Sequence, residues 1–275
     1  MPTVHFDDIS FAWPTEDADQ PEVLFSHLSL SVPEGFTFLV GPNGIGKSSF
    51  LLLAGARVFP QSGTVTVLGQ DTRRFVDAAL DPALEEARNQ LVSFVYQNME
   101  FETDAPIGAV LETVASASAR SEEAGRMFEP LLEAAGLRER LSARMQELSK
   151  GEMQRAIVAM SLLYGSPLIM MDEPVFAVEP RRTEELFAFV HEQCRGGHTQ
   201  VLTSVHDVEL ARRYADSVIL FDSEGPITVG SAEEQLNRER LETAFRAPFD
   251  TLYERQQLYR ELLTRAAEVQ DGEES

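Results

Sequence analysis

Residues Gly41-Pro42-Asn43-Gly44-Ile45-Gly46-Lys47-Ser48 match the pattern G-x-x-x-x-G-K-[ST] at every fixed position. The apolar run Phe36, Phe38, Leu39, Val40 precedes them, and Ser49-Phe50-Leu51-Leu52-Leu53-Ala54 follows. The octapeptide is therefore expected to join a buried strand to the start of a helix. Backbone N–H groups at such a start point at an anion and the helix dipole favours it, so a di- or triphosphate suits them. Gly41, Pro42, Asn43, Gly44, Ile45 and Gly46 would form the cradle, with Ser49 beside it. Lys47 would reach the β- and γ-phosphates, and the Ser48 hydroxyl would ligate Mg²⁺.

Lysine usage sharpens this reading. Of 23 basic residues only Lys47 and Lys150 are lysines; the rest are arginines. A lysine kept in this loop points to a steric demand, since a compact ammonium fits beneath phosphates where a planar guanidinium is too wide.

Composition narrows the partners. At 275 residues and 43% hydrophobic, the chain can bury one large core or two modest ones. Its 45 acidic against 23 basic residues give a formal charge of -22. Such a surface excludes nucleic acid as a partner and disfavours direct adsorption to anionic lipid. The single Cys194 allows no internal disulfide and fits a reducing compartment. Met1–Ser10 carries Asp7 and Asp8 and does not read as a signal segment. The longest uncharged stretch, Ala156–Met171, is broken by Gly165-Ser166-Pro167 and falls short of the ~20 residues of a membrane span. It reads as a helix, a turn and a buried strand, in a soluble chain.

Around the glycine-rich loop the pattern is mixed. Residues 3–12 and 23–32 alternate apolar and polar side chains, as antiparallel strands do. Further strands are expected over 64–68 and 91–96. Residues 107–147 are rich in Ala, Glu, Arg and Leu at helical spacing, and Gly136 closes one helix. Buried strands return at 168–171, 201–204 and 218–221 with helices between them, which implies a mostly parallel sheet. Residues 231–267 read as amphipathic helix, followed by an acidic tail. The expected fold class is α/β: a P-loop core with a mostly parallel sheet, an antiparallel β subdomain and a helical subdomain.

Leu168-Ile169-Met170-Met171-Asp172-Glu173-Pro174 sets two carboxylates after four apolar residues. A strand ending this way places Asp172 at the sheet's C-terminal edge, where it can hold Mg²⁺, and Glu173 where it can polarise a water. Acidic residues often end strands, so the motif alone is weak. It gains weight behind the glycine-rich loop.

Leu148-Ser149-Lys150-Gly151-Glu152-Met153-Gln154-Arg155 comes shortly before that strand. With it, the chain resembles an ATP-binding cassette (ABC) ATPase, whose Leu-Ser-Gly-Gly-Gln signature this stretch is similar to. Gln97 resembles the family's Q-loop glutamine, and His206, after Val201-Leu202-Thr203-Ser204-Val205, its switch histidine. Alone, His206-Asp207 would equally read as a helix start. Trp13 stands where the family has the aromatic that stacks on adenine, and otherwise reads as a surface-strand residue. The resemblance covers roughly residues 3–230.

The resemblance implies ATP hydrolysis by a head-to-tail dimer with a second cassette. ATP would lie between the P-loop of one subunit and Ser149, Gly151 and Glu152 of the other. Mg²⁺ would be held by Ser48, Gln97 and Asp172, and Glu173, His206 and Gln97 would be catalytic. Domains are expected at 1–230 (the ATPase, its helical subdomain about 98–147) and 231–275 (helical extension and acidic tail). The partners implied are transmembrane permease subunits, with the chain cytoplasmic and peripheral at the inner face of the membrane. A stand-alone cassette with a helical tail resembles importer ATPases, and Leu141–Glu147 lacks the Gly-Glu-x-Gly stretch usual in exporters. A non-transport ABC ATPase, such as a cofactor-assembly scaffold, is the alternative.

Two positions depart from the family. Lys150 replaces the first signature glycine, and Glu179 stands where the D-loop usually has Asp. Lys150 either points to solvent, the reading preferred here, or adds charge near the other subunit's nucleotide. The permease is expected to dock after Gln97, on a groove lined by some of Met99, Phe101, Ile107 and Val110. The bland alternative is that these residues pack the helical subdomain onto the core.

Overall fold

The computed structural model describes residues 3–14, 22–97, 99 and 103–273. Alternation produces the first sheet. Strand β1 (Val4–Trp13) pairs antiparallel with β2 (Glu22–Val32), Val4 opposite Val32 and Trp13 opposite Glu22. The residues that alternate inward, among them Val4, Phe6, Ile9 and Phe11, are buried. Strand β3 (Phe36–Val40) is buried along its whole length, as a central strand covered on both faces must be. Helix α1 (Lys47–Ala54) follows it through the glycine-rich loop. Strand β4 (Ser62–Val67) returns to pair with β1, and β5 (Gln70–Asp71) completes a four-stranded antiparallel sheet in the order β2-β1-β4-β5.

Helix α2 (Pro82–Leu91) was not expected from the sequence. Asp81 caps it, accepting from the N–H groups of Ala83 and Leu84, and Pro82 takes the first helical position, where a missing N–H costs nothing. Strand β6 (Val92–Val95) then leads toward Gln97. Helices α3 (Ile107–Ala117), α4 (Ser121–Ala135) and α5 (Lys150–Tyr164) form the helical layer, and Gly136, at φ 59°, ends α4 as expected. Both α3 and α4 pack against α5, so this layer continues past residue 147.

One expectation is corrected here. Ile107 is fully buried with Leu111 in the helical core, and Met99 packs against the same cluster. Ile107 therefore faces no groove and packs α3 onto its neighbours, whereas Met99 is only half-buried. Val110 is half-buried, and Phe101 lies outside the described residues.

The chain then alternates strand and helix: β7 (Leu168–Asp172), α6 (Pro180–Arg195), β8 (Gln200–Ser204), α7 (Val208–Tyr214), β9 (Ser217–Leu220) and β10 (Thr228–Gly230). With β3 and β6 these strands form a six-stranded sheet in the order β10-β9-β3-β8-β7-β6, parallel except for β10. The pleat of β3 splits the core. Phe36, Phe38 and Val40 face the helical layer, while Leu39 faces α1 and the antiparallel sheet, in a cluster with Phe6 and Phe50.

The end of the chain is helical, as expected over 231–267. It is three helices: α8 (Ala232–Gln235), α9 (Arg238–Phe245) and α10 (Phe249–Glu273). Asn237 starts α9 by accepting from the Arg240 N–H, and Arg246 ends it in the left-handed region at φ 50°. Among the described residues, no helix is long and apolar enough to cross a membrane.

Candidate nucleotide and hydrolysis site

Sheet order assembles the site. Strands β3, β8 and β7 are neighbours and parallel, so their C-terminal ends lie at one edge. Gly41–Ser48 leaves β3, Asp172 ends β7 with Glu173 next, and Ser204 ends β8 shortly before His206. Strand β6, at the far side of β7, delivers Gln97. A crevice outside the carboxyl ends of parallel strands is where ligands bind in such sheets.

In the glycine-rich loop, Gly46 precedes α1 at φ 108°, and a side chain there would fall 3.1 Å from Leu24. The left-handed φ calls for glycine, and any side chain would press on Leu24. Lys47 is buried, and its Nζ donates to the carbonyls of Gly41 and Pro42, each at 2.8 Å. Burial holds its pKa below the usual lysine value, and the charges of Glu173 and Asp172 oppose that shift. Those two carboxylates are thus near enough to matter electrostatically. Ser48 and Asn43 are exposed, whereas Ser49 is buried and accepts the indole N–H of Trp13.

Opposite the loop, three side chains converge. One carboxylate oxygen of Glu173 lies 2.6 Å from Nε2 of His206, and the other accepts from the Gln97 amide at 2.7 Å. Ser204 donates to Asp172 at 2.6 Å and accepts the Glu173 N–H at 3.0 Å, fixing both acids from one hydroxyl. Glu173 itself sits at φ 48°, a backbone state that costs a non-glycine residue about 1–3 kcal/mol and clusters at functional sites. The side chain of Gln154, buried on α5, donates to the Gln97 carbonyl at 3.5 Å and accepts from the Ala177 N–H at 3.0 Å.

Residues 25–176 match the ABC transporter family. The chain belongs to that family. It is an ABC ATPase, an ATP-binding subunit. The cassette is 34% identical, over 82% of its own length and 96% of the relative's, to the lipoprotein-releasing system ATP-binding protein LolD of Maricaulis maris. It is 29% identical over 79% of its length to the Bacillus subtilis protein named "Putative HMP/thiamine import ATP-binding protein YkoD", of whose length it spans 38%. In fold it is similar to an ATP binding subunit of an ABC transporter, with TM-score 0.70, 23% identity and coverage of 93% and 99% of the two chains. A dimeric, post-hydrolysis structure of the ATP-binding cassette MJ0796 bound to ADP and Pi superposes with TM-score 0.65, at 21% identity over 78% of this chain and 93% of that one.

The cassette's signature stretch begins α5. Ser149 and Glu152 form a reciprocal capping box, and Glu152 also pairs with Arg140 at 2.6 Å. The Glu152 carboxylate is therefore engaged inside the helical layer. A Cβ on Gly151 would meet the Ala177 carbonyl at 2.6 Å, so α5 starts hard against the loop after Glu173. Lys150 is exposed with its ammonium 5.7 Å from the centre of the Phe176 ring, close to the solvent-facing expectation. Glu179 precedes α6 and makes no side-chain cap. The remaining histidines pair locally: His5 with Ser31, His27 with Asp8, His191 with Asp216 and His198 with Glu123.

Sequence reasoning missed Ser204 and Gln154. Ser204 carries no signal beyond ending an apolar strand. Gln154 lies within the quoted signature stretch, but which loops it bridges depends on where α5 packs.

Proposed function

We propose that this ATPase uses Glu173 as its general base, and that Gln97, Lys47, Ser48, Asp172 and His206 complete the hydrolytic site. What carries the reading is the Glu173 carboxylate, held between Gln97 and His206 at the sheet edge that also bears Lys47. Glu173 would take a proton from the attacking water, and the Lys47 ammonium and the N–H groups starting α1 would stabilise charge on the phosphates. His206 would turn from Glu173 toward the γ-phosphate. Trp13 would flank adenine. The oxygens of Ser48, Asp172 and Gln97 are hard donors that suit Mg²⁺, an ion commonly held by one or two protein carboxylates together with substrate phosphates. When bound, the ion would neutralise phosphate charge.

A second copy or a related cassette would complete the site with Ser149 and Gly151, and separate permease subunits would place the pair at the inner face of the membrane. The dimeric cassette of similar fold supports the pairing. Import is supported by the likeness to YkoD and by the lack of a Gly-Glu-x-Gly stretch in Leu141–Glu147, whereas LolD is named for release. The test is affinity capture of the full chain from detergent-solubilised membranes with ATPase measured on the product. An integral membrane protein that co-purifies and stimulates hydrolysis is expected; capture of soluble partners alone would favour the scaffold reading.

A further inference from the structure

Helix α10 lies across the two loops that carry Glu173 and His206, and one of its faces reaches both. Leu252, Gln256, Tyr259, Arg260 and Leu263 recur at intervals of three and four residues, so they share that face. The Gln256 amide brackets the histidine: Nε2 donates to the His206 carbonyl at 2.8 Å, and Oε1 accepts the Val208 N–H at 3.3 Å. Arg260 Nε donates to Asp207 Oδ2 at 2.6 Å, while Asp207 Oδ1 caps α7 by accepting from the N–H groups of Glu209 and Leu210. Three successive residues, 206 to 208, are thus held by two side chains of α10.

The same face touches the other loop. The Tyr259 hydroxyl donates to the Phe176 carbonyl, and the two rings lie 6.0 Å apart. Burial raises the Tyr259 pKa, and the negative charge of Glu173 adds to the shift. Elsewhere a cavity of about 530 Å³, lined by Glu173, His206, Phe176 and Tyr259 among others, separates α10 from these loops. The helix therefore meets the hydrolytic side of the site through a few polar side chains rather than through continuous packing.

We propose that Gln256 and Arg260 are positioning residues for hydrolysis, acting through His206. They fix the backbone of residues 206–208, so the imidazole can pass from Glu173 to the γ-phosphate by rotation of its own side chain alone. Without them the backbone of residues 206–208 would lose its contacts to α10, leaving the loop held by the Val205 N–H on Leu39, by the Asp207 cap and by His206 itself. Misplacing a reacting group by up to 1 Å costs about 10- to 100-fold in rate. The proposal rests on the role assigned above to His206.

The test measures steady-state hydrolysis of Mg-ATP by the full chain and by Gln256→Ala, Arg260→Ala, Arg260→Lys and His206→Ala, with thermal melting alongside. Gln256→Ala and Arg260→Ala should lower kcat by about 10- to 100-fold, with the KM for ATP within about twofold and the melting temperature unchanged. Arg260→Lys should recover part of the rate, because an ammonium can still pair with Asp207. Combined with His206→Ala, neither alanine variant should lower the rate further, since both act through that residue. Wild-type kcat in both alanine variants, additive losses on top of His206→Ala, or joint loss of ATP affinity and melting temperature would each overturn the proposal. Wild-type turnover by His206→Ala would instead remove the role of His206 itself, and the proposal with it.

Discussion

The indole N–H of Trp13 donates to the Ser49 hydroxyl at 2.9 Å, tying the last residue of β1 to the first turn of α1. An N–H bond is made in the plane of the ring, so it orients the indole beside the phosphate loop. Phe11, packed edge-on at 5.2 Å, is buried and unsuited to a nucleotide contact.

ATP should therefore perturb the fluorescence of Trp13, the only tryptophan. Ser49→Ala should shift the emission before any nucleotide is added. Trp13→Ala should weaken ATP binding by roughly 0.5–1.5 kcal/mol, the range for aromatic stacking beyond burial. Unchanged emission at saturating ATP would place adenine elsewhere.

Replacement of Lys47 by Ala should abolish hydrolysis and weaken nucleotide binding in a titration with a fluorescent ATP analogue. Lys47→Arg should fail as well, because the ammonium is buried against two carbonyls 2.8 Å away and a guanidinium is wider. Normal turnover by the arginine variant would refute the steric argument.

Glu173→Gln keeps the side-chain length and one acceptor oxygen while removing the base and turning the other oxygen into an N–H donor. Turnover should fall by about 10²–10⁴-fold with ATP binding retained. An ATP-bound dimer should then accumulate on size-exclusion chromatography. A fully active variant would remove Glu173 from its proposed role.

Cys194 offers a pH readout. Burial, helped by the Asp216 charge, pushes its thiol up to about 12 from an ordinary 9.0. The folded value lies above the unfolded one, so this contribution is complete below pH 9 and is lost as pH rises toward 12. Cys194→Ala should accordingly lose stability less steeply across that window in denaturant titrations. At pH 8 a thiol reagent should label the native protein only as fast as it opens. Rapid labelling under native conditions would contradict the burial.

Much of this was legible in the residues. Gly41–Ser48 between apolar strand and helix, and the apolar runs ending at Asp172 and near His206, gave the parallel sheet and the loops at its edge. What was illegible depended on packing. Asp81-Pro82 is a helix-start signal that α2 uses. Ser149-Lys150-Gly151-Glu152 also satisfies the capping-box pattern, which forecasts the inward use of Glu152 better than a nucleotide contact does. The reach of Ser204, Gln154, Gln256 and Arg260 could not be read, because each bridges loops brought together only by the completed sheet.

Gln154 carries the widest consequence. A single buried amide grips the loop at Gln97 with one end and the loop at Ala177 with the other. Moving either loop alone would strand a polar group out of water, at about 1–3 kcal/mol. Keeping both contacts would require the two loops to move together, so a displacement at Gln97 would be felt at Ala177, near Glu173. Mechanical work and chemistry would share one amide as their pivot.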